Sequence, residues 1–196
     1  METKERGEEL VEHSASWKST ATLNTFKKLN LGCGHDYRKD WVNVDFDSRV
    51  KCDLELNLFE YPWKGLEDNT YSEVVVRHFL EHVPEPIGFM DELWRVCAPF
   101  AEVSVIGPYW SSVGTHQDPT HKRGLCVPFF HYFSSRGRLG LGVDHYPIKA
   151  DFTLEKSELI FHPDFEGLPQ EHKEFALDHY INVVDELRVT LRANKV

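Results

Sequence analysis

The sequence predicts an α/β fold with a mostly parallel sheet and one antiparallel strand near the C-terminus, in a single domain over residues 26–196. Three observations carry this. Continuous apolar runs such as Val74-Val75-Val76 suit strands covered on both faces. Loop or helix-spaced text separates these runs, the order expected of parallel strands joined by crossovers. Near the end, Glu186-Leu187-Arg188-Val189-Thr190-Leu191-Arg192 alternates strictly between polar and apolar residues. That pattern belongs to an edge or antiparallel strand wet on one face.

In chain order, residues 1–25 are polar with weak helical spacing (Leu10, Val11, Trp17) and read as an N-terminal lead-in. Lys28 to Leu31 is a short buried strand that stops at Gly32-Cys33-Gly34, and Trp41 to Asp45 is a second strand ending in an acid. Arg49 to Leu54 is a third, weaker one. Tyr61 to Asn69 is turn-rich, and Ser72 to Arg77 is the next strand. Pro84 and Pro86 open a helix, because proline is tolerated in a first turn. Ile87, Met90, Leu93, Trp94 and Cys97 give that helix one apolar face. Ala101 to Gly107 is a further strand, a looser region runs from 108 to 150, and Phe152 to Phe161 precedes the alternating strand. Glu166 to Glu174 reads as a solvated acidic stretch.

Composition narrows the function. A chain of 196 residues with 41% hydrophobic and 28% charged residues fits one ordinary globular domain. No apolar run approaches a membrane span, and Met1 to Glu9 is charged with no apolar stretch behind it, unlike a secretory signal. Cys33, Cys52, Cys97 and Cys126 are widely spaced, which fits reduced thiols in the cytoplasm better than a disulfide framework or a zinc knuckle. The net charge of −10 repels phosphate backbones and argues against a nucleic-acid partner.

The informative unit is Leu29-Asn30-Leu31-Gly32-Cys33-Gly34 followed by Val44-Asp45. A strand ending in two glycines lets main chain approach a ligand closely, and an acid at the next strand tip can accept hydrogen bonds from both hydroxyls of a ribose. A dinucleotide site needs a third glycine and an acid about 20 residues further on. Here Tyr37 takes that glycine's place, and Asp45 follows Gly34 by only 11 positions. That interval has no room for a full crossover helix, whose amino end a pyrophosphate wants. A sulfonium nucleoside, having no phosphate, loses nothing by the shortening.

On these residues the sequence resembles the class I S-adenosylmethionine-dependent methyltransferases, in the compact subgroup with a shortened first crossover. Residues 29–34 match the first motif and Asn43-Val44-Asp45 the second. Cys52-Asp53-Leu54 resembles the adenine-flanking segment, Arg77 to His82 the segment after the fourth strand, and Met90 to Val96 the helix before the fifth. The resemblance implies a Rossmann-like sheet of seven strands. It also implies S-adenosylmethionine contacts from Gly32, Cys33, Gly34, Asp45, Asp53 and Leu54, with Arg77 or His78 near the amino-acid end. Two positions depart from the pattern: Ala98-Pro99-Phe100-Ala101 replaces the usual Lys-Pro-Gly-Gly turn, and Ser72 stands where an aspartate is common.

His78-Phe79-Leu80-Glu81-His82 also spells a zinc-protease pattern, but Pro84 leaves no space for the long helix such a site needs. Within Thr115 to His121, the residues His116, Asp118 and His121 admit three readings. They are a general base serving the acceptor, a metal set, or an Asp-Pro turn held by histidine hydrogen bonds. Lys122-Arg123 and Arg136-Gly137-Arg138 flank Phe129, Phe130, His131, Tyr132 and Phe133, which read either as a substrate lid or as aromatics packed in the core. The expected activity is methyl transfer to oxygen or nitrogen of a small-molecule acceptor. A non-catalytic binding module on the same fold is the alternative.

Overall fold

The structure, a computed structural model, describes residues 27–195, so the expected lead-in over 1–25 lies outside the described residues. The chain begins with β1 (Lys27–Leu31), β2 (Val42–Asp45), β3 (Leu54–Glu55) and β4 (Tyr71–Arg77). A single 3-10 turn (Leu80–His82), α1 (Pro86–Val96) and β5 (Cys97–Pro108) follow. Three short helices, α2 (Val113–Gln117), α3 (Val127–His131) and α4 (Ser135–Leu141), lead to β6 (Phe152–Phe161). Finally α5 (Pro163–Glu166) and α6 (Gln170–His179) lead to β7 (Val184–Ala193).

The strands form one seven-stranded sheet in the order β3-β2-β1-β4-β5-β7-β6. From β3 to β5 every pairing is parallel, while β7 lies between β5 and β6 and runs antiparallel to both. This is the mostly parallel sheet with one antiparallel strand that the sequence predicts. The alternating strand is therefore antiparallel and interior: Leu187, Val189, Leu191 and Ala193 are buried, whereas Arg188 on the other face is exposed.

Register explains where the core sits. Val44, Leu31, Val76, Val105 and Val189 align across five strands and are all at most 2% exposed. Phe89, Met90, Leu93 and Val96 of α1 belong to the same cluster. The expected stripe needs correction at two places: Ile87 is 38% exposed, and Trp94 is only partly buried, with the Lys195 ammonium over its ring. The inward face of α1 is turned toward Phe89 and Val96, which spacing from Ile87 did not anticipate.

The opposite face carries a buried polar pair. Asn30 and Asn43 stand side by side in register, and the Asn30 side-chain amide donates to Asn43 Oδ1 at 3.1 Å and to the Asp36 carbonyl at 2.7 Å. Asn43 in turn receives the Arg38 N–H and donates to the Arg38 and Trp41 carbonyls. These bonds fasten residues 32–41 to the sheet in place of a crossover helix, and none forms there. Satisfying each buried amide this way matters because an unmade bond would cost about 1–3 kcal/mol.

Two strand expectations change. The third strand reduces to Leu54–Glu55, because Asp47 folds the preceding backbone into a turn by accepting the Arg49 N–H. The fifth strand starts four residues early, directly where α1 ends at Cys97. The Ala98-Pro99-Phe100-Ala101 turn survives inside it as an irregularity between the pairs Tyr71–Cys97 and Glu73–Glu102. Phe100 holds a left-handed φ of 61° there and is exposed. Among the described residues no helix is long and apolar enough to cross a membrane.

Candidate functional site

The end of β1 turns sharply because Gly32 and Gly34 both adopt left-handed φ, at 62° and 48°. The two glycines do different work. A Cβ on Gly32 would sit 2.1 Å from the Phe79 ring, so this glycine lets the segment after β4 pack against the turn. A Cβ on Gly34 would meet nothing within 4 Å, so here the bare main chain faces open space. The Gly34 N–H donates to Asp45 Oδ2 at 2.8 Å, which ties the turn to the tip of β2. Asp45 Oδ1 accepts the Asp47 N–H at 3.0 Å. A carboxylate offers about four acceptor positions, so each oxygen keeps capacity for a further donor.

That turn forms one wall of a 510 Å³ cleft lined by Asn30, Gly32, Cys33, Gly34, His35, Asp36, Arg77 and His78. A neighbouring depression of 400 Å³ is walled by Phe46, Glu55, Leu56, Asn57 and Phe59. Asp45 connects the two, since its carboxylate touches Gly34 and the next residue, Phe46, presents a 60% exposed ring. Of the sequence-predicted cofactor residues, Gly32, Cys33, Gly34, Arg77 and His78 share the cleft, and Asp45 adjoins it. Cys33 is buried, and burial together with the nearby Asp45 charge pushes its thiol up to about 11, so it stays protonated and contributes bulk. Asp53 is engaged elsewhere. Its Oδ2 accepts the Asn43 N–H and side-chain amide, and its Oδ1 accepts the Tyr37 hydroxyl, bonds that hold its carboxyl below the ordinary 3.8. Leu54 opens β3 and is half-buried beside Gly65. Sequence reasoning missed Phe46 and Phe59; Phe46 could have been found from its place directly after the tip of β2.

The other side of the cleft is built from side chains. His78 takes a left-handed φ of 48° at the end of β4, with its N–H bonded to the Ile106 carbonyl. Its ring lies between two acids: Nε2 is 3.0 Å from Glu186 of β7, and Nδ1 is 3.4 Å from Glu81 Oε1. The Glu81 hydrogen bond outweighs burial and raises the His78 pKa. Glu81 is only 1% exposed, and its second oxygen, Oε2, has no hydrogen-bond partner among the described residues. In the sequence Glu81 appears only inside the zinc-protease pattern that was set aside, and Glu186 was not singled out, because it meets His78 from a strand 108 residues away.

The loop after β5 divides the three predicted catalytic residues. His116 sits in the last turn of α2 and is exposed. Asp118 accepts the Thr120 N–H and hydroxyl at 2.8 and 2.7 Å, which holds its carboxyl below the usual value. His121 bonds through Nδ1 to the Thr115 carbonyl at 3.1 Å and stacks edge-on against His82, 4.7 Å between ring centres. The Lys122 N–H donates to the Glu81 carbonyl at 2.7 Å, pinning the loop onto the 3-10 turn. So the loop joins His121 to Glu81 and His82, and leaves His116 apart. Further on, Phe130 and Phe133 lie in the core, and Arg138 is buried with its guanidinium on the Tyr132 and Ala150 carbonyls. Arg123 likewise caps the Val83 and Pro84 carbonyls.

No family model matches the sequence, and no curated protein does. Solved structures do. A SAM-dependent methyltransferase from Archaeoglobus fulgidus superposes with a TM-score of 0.58 at 15% identity, covering 86% of this chain and 87% of that one. A putative methyltransferase from Bacillus halodurans gives 0.55 at 13% identity, over 86% and 93%. The [4+2]-cyclase SpnF gives 0.53 at 14% identity, over 87% and 75%. Sheet order, the glycine turn and these superpositions agree: the chain has the fold of the class I S-adenosylmethionine-dependent methyltransferases.

Proposed function

We propose that the chain binds S-adenosylmethionine and transfers its methyl group to an oxygen or nitrogen of a small-molecule acceptor. The observation that carries this is the Gly34–Asp45 contact: bare main chain facing open space, locked to an acid that retains acceptor capacity, beside two adjoining hollows. Asp45 is suited to a ribose, and the exposed Phe46 ring to stacking on a flat base. Asp53 and Leu54 stand behind the base side of the pocket, Asp53 by holding Asn43 of β2 with its carboxylate. Arg77 and His78 face the amino-acid end from the far wall.

When bound, the cofactor supplies an electrophilic methyl group on a sulfonium. The chain's part is to hold an acceptor in line with it and keep water out, and such positioning can contribute about 7–11 kcal/mol. An amine acceptor needs no strong base. For a hydroxyl acceptor, the loop bearing His116, Asp118 and His121 provides the group that takes up the proton. The region 108–150, which carries that loop, is the acceptor side of the site. The cytoplasm suits a chain whose four cysteines are all free thiols, and its charge of −10 favours a small acceptor over a nucleic acid.

Transfer of a labelled methyl group to a panel of amines, phenols and sugars tests the reading. His121→Ala and His116→Ala should leave cofactor binding intact and lower turnover. Wild-type rates in both would remove the loop from the chemistry. The rival reading, a non-catalytic binding module, rests on the fact that a fold does not fix its function. Cofactor binding with no product across the panel would favour it.

A further inference from the structure

The Glu81 carboxylate is the least explained group among the described residues. It is buried, it sits at the carboxyl edge of the sheet, and one of its oxygens lacks a partner among the described residues. Two imidazoles stand next to it: ligand-type atoms of Glu81, His82 and His121 all lie within 4.8 Å of one another.

The hydrogen bonds around these imidazoles fix their protons. A main-chain carbonyl can only accept, so the 3.1 Å contact from His121 Nδ1 to the Thr115 carbonyl requires hydrogen on Nδ1. The Thr120 hydroxyl has one proton and gives it to the Asp118 carboxylate, which cannot donate. The 2.9 Å contact between Thr120 Oγ1 and His82 Nδ1 is then a bond donated by His82. The neutral form of each ring thus has its hydrogen on Nδ1 and a lone pair on Nε2. Metal-ligating histidines are prepared in this way, the outer nitrogen donating to a carbonyl or hydroxyl that fixes ring and tautomer.

We infer that Glu81, His82 and His121 form a site for one divalent transition-metal ion of the zinc type. Two imidazoles and one carboxylate are a borderline-soft donor set, suited to Zn²⁺, Co²⁺ or Fe²⁺ and poorly suited to Mg²⁺ or Ca²⁺. Around zinc, ligand atoms stand roughly 3.3 Å apart, so the donor atoms draw together by up to about 1.5 Å on binding. Three protein ligands leave a coordination position free. His78 touches Glu81 and lines the cofactor cleft, and His121 belongs to the loop on the acceptor side, which puts that position between the two. Resting on the proposed methyl transfer, the ion would lower the pKa of an acceptor hydroxyl bound to it, whose proton leaves to solvent. His121 is then a ligand, and not itself the base. The site differs from both sequence-level metal readings, since it uses neither His78 with His82 nor His116 with Asp118.

Calorimetry on the chelator-treated full chain with Zn²⁺, and visible absorption with Co²⁺, test this directly. One ion per chain is expected, with Mg²⁺ producing no heat. His82→Ala and His121→Ala should each weaken Zn²⁺ at least about a hundredfold. Thr120→Val, which frees the His82 tautomer, should weaken it about tenfold, as loss of an outer-sphere partner does. His172→Ala, at an exposed histidine elsewhere, should change nothing. Binding of S-adenosylhomocysteine, followed in each variant, separates loss of the ion site from loss of fold or of the cofactor cleft. The inference is overturned if wild type takes up no Zn²⁺, as when a water molecule satisfies Glu81. It is equally overturned if His82→Ala, His121→Ala and Thr120→Val all bind Zn²⁺ like wild type.

Discussion

Two corners of the sheet's carboxyl edge are made of different material. Between β1 and β2 the wall is main chain: two left-handed glycines, one N–H and one acid, all within fourteen residues of sequence. Between β4 and β5 it is side chain: His78, Glu81 and His82 meet His121 from a later loop and Glu186 from the last strand. Sterics and backbone bonds set the first corner, and hydrogen bonds among histidines, acids and a threonine set the second. On the proposed reading the first corner serves the cofactor and the second the acceptor.

The two glycines offer the sharpest way to break this picture. Gly32→Ala adds a clash with Phe79 to the left-handed strain and should cost about 3 kcal/mol of unfolding free energy. Gly34→Ala carries only the backbone strain, about 1 kcal/mol, yet should impair cofactor binding because its methyl enters the cleft. Chemical denaturation of both variants checks the contrast. Equal destabilisation would show that the turn is not divided between packing and binding.

A smaller effect concerns pH. Asn43 holds the Asp53 carboxyl below its ordinary 3.8, so its contribution to stability is complete above that value and drains away as pH falls through the lower folded pKa. Asp53→Asn should flatten the acid limb of the stability curve while leaving the β4–β5 corner unchanged. An unaltered acid limb would mean that the crossover loop is held without this charge. The smallest effect lies outside both corners. Phe100→Gly should relieve left-handed strain and stabilise by about 0.5–1 kcal/mol, the gain being offset by glycine's freedom in the unfolded chain. A lower melting temperature would assign Phe100 a contact worth more than its strain.

What was legible in the sequence follows the same division. The strands, the missing crossover helix and the Gly34–Asp45 pairing are local, encoded in runs, glycines and an interval of 11 residues. Strand limits slipped where a side chain competed for the backbone, as at Asp47, or where a turn folded into a bulge, as at Phe100. The helix face was misjudged at Ile87 because periodicity fixes the spacing of a stripe better than its phase. The grouping of His121 with Glu81 and His82 was not readable, since it joins segments 38 residues apart through Thr120. Nor was the structural use of Arg123 and Arg138, which tie down carbonyls where a lid was one expectation.

The cofactor cleft is tested most directly by calorimetric titration of the full chain with S-adenosylhomocysteine, alongside Asp45→Ala. Binding at one site per chain is expected, weakened in the variant by about 10–100-fold, the equivalent of the roughly 1.5–3 kcal/mol of a hydrogen bond to a charged group. No binding to the wild type, or equal affinity in Asp45→Ala, would contradict the assignment of this corner to an adenosyl sulfonium cofactor.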